Sequence, residues 1–568
     1  MALPTLDDPF YYLANFRRVL DWLTARYADL LTAHERDFIE RFDTLPWTSQ
    51  ALLVRLVMRK GIDFRLGRLQ YAEIGETAVA VEPLIEQGWV EEGVPLTLEA
   101  LFALTTRPEL DVDLRAWLAG LGLGRSSGKG AWLNALQVES PSPRPLAQWL
   151  PSLGDRHLRL TIDALCERFR LMFFGNLRQQ WSEFVLAELG IYRFERVALE
   201  ADSRAFSRRE ELEAYHHLHA CRERLDADEP LATLLPDVPL DAFDNAWLER
   251  RRGRLVHKIA YRCERQGDLD QARRLYEASS APESRLRRVR VLEAQDRIAD
   301  ALALGEQALA SPGYDAEQQA LARILPRLRR KLGGAPVRRR KTAEPGRFDL
   351  ELPPSSSVER AVARHLSQPG APVFYVENTL INTLFGLLCW EAIFAPLPGA
   401  FFHPFHSGPA DLFDVDFHAR RRELFQRCLV ALERGEHGEI IRRHRQEKCG
   451  IQSPFVVWEA LDDTALELAL TCIPPAHLRL WFERLLGDIR ANRAGMPDLI
   501  QFMPEAGDGE IGYRMIEVKG PGDRLQDNQK RWLEFCALHE MPVNVCYVTW
   551  RADAPEGHSE TASPGTGA

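Results

Sequence analysis

The chain has 568 residues, 45% of them hydrophobic and 27% charged, with a formal net charge of −10. That length accommodates about three or four domains with real cores. There is no run of about eighteen apolar residues, and the start Met1-Ala2-Leu3-Pro4-Thr5-Leu6-Asp7-Asp8 lacks the basic opening of a secretory signal, so a soluble, intracellular protein without a membrane segment is expected.

The nine cysteines stand singly, with no Cys-x-x-Cys pair, which speaks against a disulfide framework and a zinc ribbon. Residues 1–94 read as a helical domain, since Tyr11 to Leu20 and Ala51 to Lys60 repeat apolar residues every three or four positions. A dimerisation or packing module fits that pattern equally. Residues 95–240 form the next region. Two short helical patterns there, joined through Leu110-Asp111-Val112-Asp113 and Gly122 to Lys129, resemble the small helix-extended-helix DNA-binding module of the SAP type. Gly-Arg-Ser-Ser-Gly-Lys does not make a phosphate-binding loop, because Gly130 follows Lys129 where Ser or Thr is required.

Residues 241–335 suggest paired helices of the tetratricopeptide kind. Small and aromatic residues between Ala260 and Tyr276 sit where one repeat packs its two helices, and Gly267-Asp268 turns the corner. Such repeats build a rigid bridge or hold a protein partner. Phosphate binding draws most of its affinity from Lys and Arg, and these cluster despite the acidic average: Arg250 to Arg254 with Lys258, Arg327 to Lys331, and Arg338 to Lys341. The alternatives are a salt-bridged helix face for the first cluster and a solvated linker, placed at 336–356, for the last. Phe402-His403-Pro404-Phe405-His406 is read as a loop with incidental histidines rather than a zinc site.

The last large region, 357–552, is expected to hold leading helices and then a β-β-α-β succession, a mixed sheet flanked by helices. A Ser/Thr/Gly/Pro-rich tail at 553–568 is expected to be disordered. Within the domain, Gly495-Met496-Pro497-Asp498-Leu499-Ile500 and Ile516-Glu517-Val518-Lys519-Gly520-Pro521 read as two adjacent strands around a polar hairpin, Glu505 to Gly512. Alternation puts Glu517 and Lys519 on one face and Val518 on the other, into a core. Asp498 and Glu517 are hard oxygen ligands for Mg²⁺ or Mn²⁺, with the Val518 carbonyl as a third. A metal there polarises a phosphate and yields a nucleophile near neutral pH, while Lys519 orients water or stabilises growing charge.

Gly-x-Pro-Asp, then Glu-Val-Lys-Gly-Pro-Gly-Asp-Arg-Leu, then Gln529 resembles the VRR-NUC class of the PD-(D/E)xK nucleases, and more narrowly the Fanconi-associated nuclease family. The resemblance extends to Leu53–Ile74 and to the SAP-like region. It also covers Phe374 to Glu377 followed by Thr383 to Trp390, similar to the helix from which that family supplies a further acidic ligand, with Glu377 at the matching position. Pattern alone leaves Glu377 as a first-turn residue complementing the helix dipole.

By the same resemblance Gln529 supports the site, with helix capping as the alternative, and Arg209 lends its charge to a pocket for a terminal 5′-phosphate, with an ordinary first-turn arginine as the alternative. Arg254 and Lys258 follow a DNA backbone. Arg490 and Arg493 neutralise phosphates beside the scissile bond or lie as surface arginines, and Asp523 pairs with Arg524 to fix a turn beside the DNA. What the resemblance implies is a structure-selective nuclease with two Mg²⁺ or Mn²⁺ ions, acting as 5′-flap endonuclease and 5′-to-3′ exonuclease in repair of cross-linked, branched DNA. Such a protein would be cytoplasmic, nucleoid-associated in a bacterium, and without the ubiquitin-binding zinc finger of eukaryotic members. The rival readings are a Holliday-junction-resolving enzyme and a non-catalytic repair scaffold.

Overall fold

A computed structural model describes residues 8–124, 126–188, 192–200, 203–335, 344–507 and 510–551. The cluster Arg338 to Lys341 and the tail 553–568 lie outside them. Two compact units divide the chain: residues 1–216 with 401–406, and residues 217–400 with 407–568. Among the described residues no helix is long and apolar enough to cross a membrane.

In the first unit, helices Tyr11–Tyr27, Ala33–Thr44, Trp47–Val57 and Thr77–Glu86 surround a small antiparallel sheet of β1 (Asp63–Arg65), β2 (Val90–Glu92) and β3 (His157–Leu160), ordered β1-β3-β2. The central strand comes last in sequence. The helical module at 98–138 is therefore inserted between β2 and β3, and its own core gathers Leu101, Leu110, Leu114, Leu118, Trp132 and Leu136. Leu110 to Asp113 lies inside the helix Arg107–Gly120 rather than joining two helices, because Thr106 and Glu109 form a capping box just before it. Lys129 donates to the Thr105 carbonyl at 2.6 Å and to that of Phe102, so it caps backbone instead of facing a phosphate.

Phe401–His406 belongs to this unit as well. Phe402 closes on Gly175, which has φ +65°; an added Cβ there would meet the ring at 3.0 Å and the Ala205 Cβ at 2.9 Å. His403 is buried against Phe173 and Phe174, and burial pulls its pKa well down. The two histidines accept backbone N–H groups of Phe405 and Phe402. They pack an aromatic box.

In the second unit five helices, Ala246–Gln266, Leu269–Ala278, Glu283–Ala294, Ile298–Ala310 and Asp315–Lys331, stack in sequence order. Gly267 takes φ +86° as the first helix ends and the Asp268 side chain caps the next, so the corner sits where its sequence places it. The unit's sheet has order β4-β8-β7-β6-β5, with β4 (Gly346–Leu352), β5 (Val373–Tyr375), β6 (Leu499–Phe502), β7 (Tyr513–Lys519) and β8 (Val543–Trp550). β4 and β7 run parallel to β8, whereas β5, β6 and β7 pair antiparallel.

Two expectations are corrected here. Residues 346–352, assigned to a linker, form an edge strand, and Phe374-Tyr375, assigned to a helix, form the other edge; the helix itself is Leu380–Leu388. Ile516 and Val518 drop from β7 into a core with Leu352, Val362, Leu499, Cys546 and Val548. Their odd-numbered neighbours Glu517 and Lys519 emerge on the opposite face.

Candidate active site

Three strand ends meet at one end of the sheet. Leu499 pairs with Ile516 in the β6–β7 ladder, so one step further along the antiparallel register Asp498 stands opposite Glu517. Leu499 also pairs with Tyr375, and the ladder continues with the Val376 N–H donating to the Asp498 carbonyl at 2.8 Å. Asp498 Oδ2 accepts the Val518 N–H at 2.8 Å. In an extended strand a residue's N–H and C=O share an edge, so the Val518 carbonyl lies on the Asp498 side.

Glu517 is fully buried and Asp498 is 6% exposed. Lys519 Nζ lies 2.6 Å from Glu517 Oε1 as a contact ion pair, and no aligned hydrogen-bond donor serves either oxygen of Glu517. Burial, with Asp498 adding its charge, pushes the Glu517 carboxyl up to about 8 against the pull of Lys519. Burial likewise lifts Asp498 to about 6; the Val518 N–H and Lys519 oppose it, while Glu377 and Glu359 add to it. A buried carboxylate without donors, set beside a second one, costs several kcal/mol unless a cation compensates it. The hard oxygens and the shortage of hydrogen-bond donors around Glu517 therefore fit a divalent ion held by Asp498, Glu517 and the Val518 carbonyl.

Glu377 lies in the turn between β5 and the helix Leu380–Leu388, exposed, with its carboxylate accepting from the Tyr375 hydroxyl at 2.5 Å and from Asn378 Nδ2 at 3.1 Å. A role as a helix first-turn residue is thus corrected: the helix begins three residues later. Among the described residues no three His, Cys, Asp or Glu side chains converge on one point, because Glu377 is turned toward Tyr375.

Sequence reasoning missed the residue that anchors this corner. Asn378, in the left-handed region at φ 53°, accepts the N–H groups of Gly495 (2.7 Å) and Met496 (3.2 Å), and so ties the Glu377 turn to the backbone entering Asp498. Asn382 Nδ2 adds bonds to the Asn378 and Arg493 carbonyls at 2.7 and 2.8 Å. An Asn on a glycine-like backbone leaves no periodic signal. Glu359, which opens the helix Val358–Leu366 and accepts from Ser357 Oγ at 2.9 Å, was also overlooked.

The remaining candidates divide. Gln529 Oε1 accepts the Gln526 N–H at 2.8 Å as the third-position partner of a capping box whose N-cap is Gln526. Asp523 fixes the turn through the Gly520 N–H at 2.9 Å rather than through Arg524, which is exposed. The Arg209 guanidinium reaches buried Glu35 (2.7 Å), the Leu30 carbonyl and Glu213, and its side chain keeps 24% exposure. Within the cluster from Arg250, Arg252 is buried against Glu249, Arg251 covers the Trp247 ring and Arg250 pairs with Asp414. Arg254 and Lys258 are exposed one turn apart on the helix Ala246–Gln266. Arg490 contacts Glu283 at 3.3 Å, and Arg493 donates to the Pro454 carbonyl at 2.8 Å.

The VRR-NUC domain model matches residues 432–550, over β6, β7, β8 and the residues they bring together, and defines the C-terminal part as a nuclease of that class. Two further models match upstream: the helix-turn-helix domain of the same family over 10–91 and the Fanconi anemia-associated nuclease SAP domain over 95–149. A Fanconi-associated nuclease 1 homolog of Pseudomonas aeruginosa is 55% identical over 553 residues, covering 97% of this chain and 98% of that one. The Arabidopsis thaliana homolog is 27% identical over 601 residues, 94% of this chain and 67% of its own. The crystal structure of paFAN1 bound to 5′-flap DNA with a 2-nucleotide flap and a gap superposes with a TM-score of 0.92 at 55% identity, covering 97% of this chain and all of that one. The chain belongs to the Fanconi-associated nuclease family.

Proposed function

We propose that this nuclease cuts branched DNA near the junction of a 5′ flap, with 5′-to-3′ exonuclease action, in a reaction that needs Mg²⁺ or Mn²⁺ and serves repair of cross-linked DNA on the nucleoid. The observation that carries the reading is Glu517, fully buried beside Asp498 with the Lys519 ammonium as its one close cation among the described residues. The crystallised relative at 55% identity, bound to flap DNA, supports the substrate.

Asp498, Glu517 and the Val518 carbonyl would hold a first ion, with Glu377 joining after its side chain leaves Tyr375, and four such oxygen-bearing groups suit a two-ion arrangement. When bound, the ions neutralise the scissile phosphate and acidify water. Lys519, 8% exposed at its side chain, keeps its ammonium inside the site, where it donates to the attacking water or to a phosphate oxygen gaining charge. The bond formed is water oxygen to phosphorus and the bond broken is phosphorus to the bridging oxygen; the attacking water gives one proton to solvent, and the departing oxygen takes one from solvent to leave as a hydroxyl.

The test compares labelled 5′-flap, 3′-flap, four-way-junction and linear DNA in Mg²⁺, Mn²⁺ or EDTA, with Asp498→Ala and Lys519→Ala alongside. Ion-dependent cutting beside the 5′-flap junction, lost in both variants while DNA affinity stays, is expected. Preference for four-way junctions would replace the reading by a resolving enzyme, and cation-independent silence by a scaffold.

A further inference from the structure

Tyr375, the last residue of the edge strand β5, is 51% exposed, yet its hydroxyl is engaged: it donates to Glu377 Oε2 at 2.5 Å, while Asn378 Nδ2 donates to Oε1 at 3.1 Å. Each oxygen of Glu377 therefore has its own donor. The backbone around that carboxylate is fixed on both sides. The Val376 N–H is held by the Asp498 carbonyl at 2.8 Å, the Val376 carbonyl accepts the N–H and the hydroxyl of Thr379 at 2.9 and 3.0 Å, and Asn378 Oδ1 is tied to Gly495 and Met496. Only side-chain torsions of Glu377 are left to move its carboxylate, and the residue stands near enough for its charge to act on both Asp498 and Glu517.

The two donors differ in what they belong to. Asn378 is part of the metal corner, since the same side chain holds the backbone leading to Asp498, whereas Tyr375 lies on the sheet edge and draws the carboxylate away from it. Charge sets the direction of any exchange. Without a cation, Asp498 and Glu517 repel a third carboxylate, and the phenol offers it a neutral donor at a distance from them. With a divalent ion between those two groups, and the Lys519 ammonium 2.6 Å from Glu517, positive charge is in excess and the same carboxylate is attracted. A carboxylate that turns inward must break its bond to Tyr375, and the half-exposed hydroxyl then bonds to water.

Resting on the reading of Asp498, Glu517 and Glu377 as cation ligands, we propose that Tyr375 is a positioning residue that latches Glu377 outside the metal corner and releases it once a cation is bound there. The latch opposes cation loading by the worth of one hydrogen bond to a charged acceptor, so it raises the cation concentration at which Glu377 joins the site. The phenol itself touches neither ion nor phosphate.

The experiment titrates Mn²⁺ into the full chain without DNA and reads the free ion by its electron spin resonance signal. Wild type, Tyr375→Phe, Glu377→Gln and the double variant are compared, and their melting temperatures confirm folding. Tyr375→Phe removes the hydroxyl and keeps the ring, so it should bind Mn²⁺ about 3–10-fold more tightly at the weakest step. Glu377→Gln should weaken that step. Adding Tyr375→Phe to Glu377→Gln should change nothing further, because the carboxylate that the latch holds is gone. The Mg²⁺ concentration for half-maximal cleavage of flap DNA should fall in Tyr375→Phe by a similar factor.

Mn²⁺ binding by Tyr375→Phe that equals or falls below that of wild type, with Glu377→Gln still weakened, overturns the latch and leaves Glu377 a ligand. A gain that persists in the double variant also overturns it, since the effect then does not pass through Glu377. If Glu377→Gln binds Mn²⁺ as wild type does, the reading of Glu377 as a ligand fails and the latch fails with it.

Discussion

Glu517→Gln should make the metal-free protein more stable while abolishing cleavage. The side chain is fully buried, and burial together with Asp498 moves its carboxyl from an ordinary 4.5 to about 8 against the pull of Lys519. That gap corresponds to about 5 kcal/mol withheld from the folded state at pH 8. The sign follows from proton binding. Between pH 4.5 and about 8 the folded chain keeps a proton that the unfolded chain has released, so stability falls as pH rises through this window and levels off above it. A neutral amide escapes the penalty but leaves its own hydrogen bonds unmet, at about 1–3 kcal/mol. The net gain is about 2–4 kcal/mol at pH 8 and vanishes near pH 5. Calorimetric unfolding in EDTA at both pH values reads the difference as a higher midpoint for the variant at pH 8 alone. Mg²⁺ should then raise the wild-type midpoint and leave the variant nearly unmoved. A variant no more stable than wild type at pH 8 would refute the claim that this carboxylate waits for a cation.

Gly495→Ala should raise the Mg²⁺ concentration for half-maximal cleavage at least tenfold, since φ is +89° and the new Cβ would stand 2.8 Å from the Asn528 carbonyl carbon; an unchanged Mg²⁺ titration would refute it. Asn378→Gly keeps the left-handed backbone but releases the Gly495 and Met496 N–H groups, so it should weaken Mg²⁺ binding, whereas Asn378→Asp retains the acceptor and should largely rescue it. Isothermal titration with Mg²⁺ decides, and equal affinities for both variants would show that the Asn378 bonds do not position the site. Arg323→Asp should slow cleavage modestly and the added Asp527→Arg should restore it, because the pair is bidentate at 2.9 and 2.6 Å; failure of the second change to rescue would show that the contact carries no positioning.

How legible each part was depends on whether its signal is local. Asp498, Glu517 and Lys519 follow from a two-residue period within one hairpin, and Gly267-Asp268 announces its own turn. β4 is different. Its exposed Arg347, Asp349 and Glu351 look like linker because an edge strand needs only one covered face, and its partner β8 lies about 200 residues away in the chain. β5 and the three strands of the first sheet have three or four residues each, too few for a period to declare itself. Arg209 reads as a free cation in sequence, and only the fold supplies Glu35 from 174 residues away. Asn378 and Glu359 act through contacts that no spacing encodes.

The same non-local logic joins the helical repeats to the chemistry. On the helix Asp315–Lys331, Asp315 Oδ2 accepts from Asn492 Nδ2 at 3.0 Å, Gln319 donates to the Asp527 carbonyl and accepts from Arg531, and Arg323 pairs with Asp527. Asn492 is 1% exposed and leads directly into Gly495, and its carbonyl accepts from Trp532 Nε1 at 3.1 Å. The repeat helix therefore grips the segment before Asp498 and the helix Asp527–Leu538, whose Asn528 abuts Gly495. An exposed ion pair such as Arg323–Asp527 contributes at most about 1 kcal/mol. Buried Asn492 contributes more, since losing it strands polar groups in the interior. A shift of the last repeat helix would thus be passed to the Gly495 turn through Asn492, which makes that helix a foundation of the Asp498 corner as well as a link in the chain.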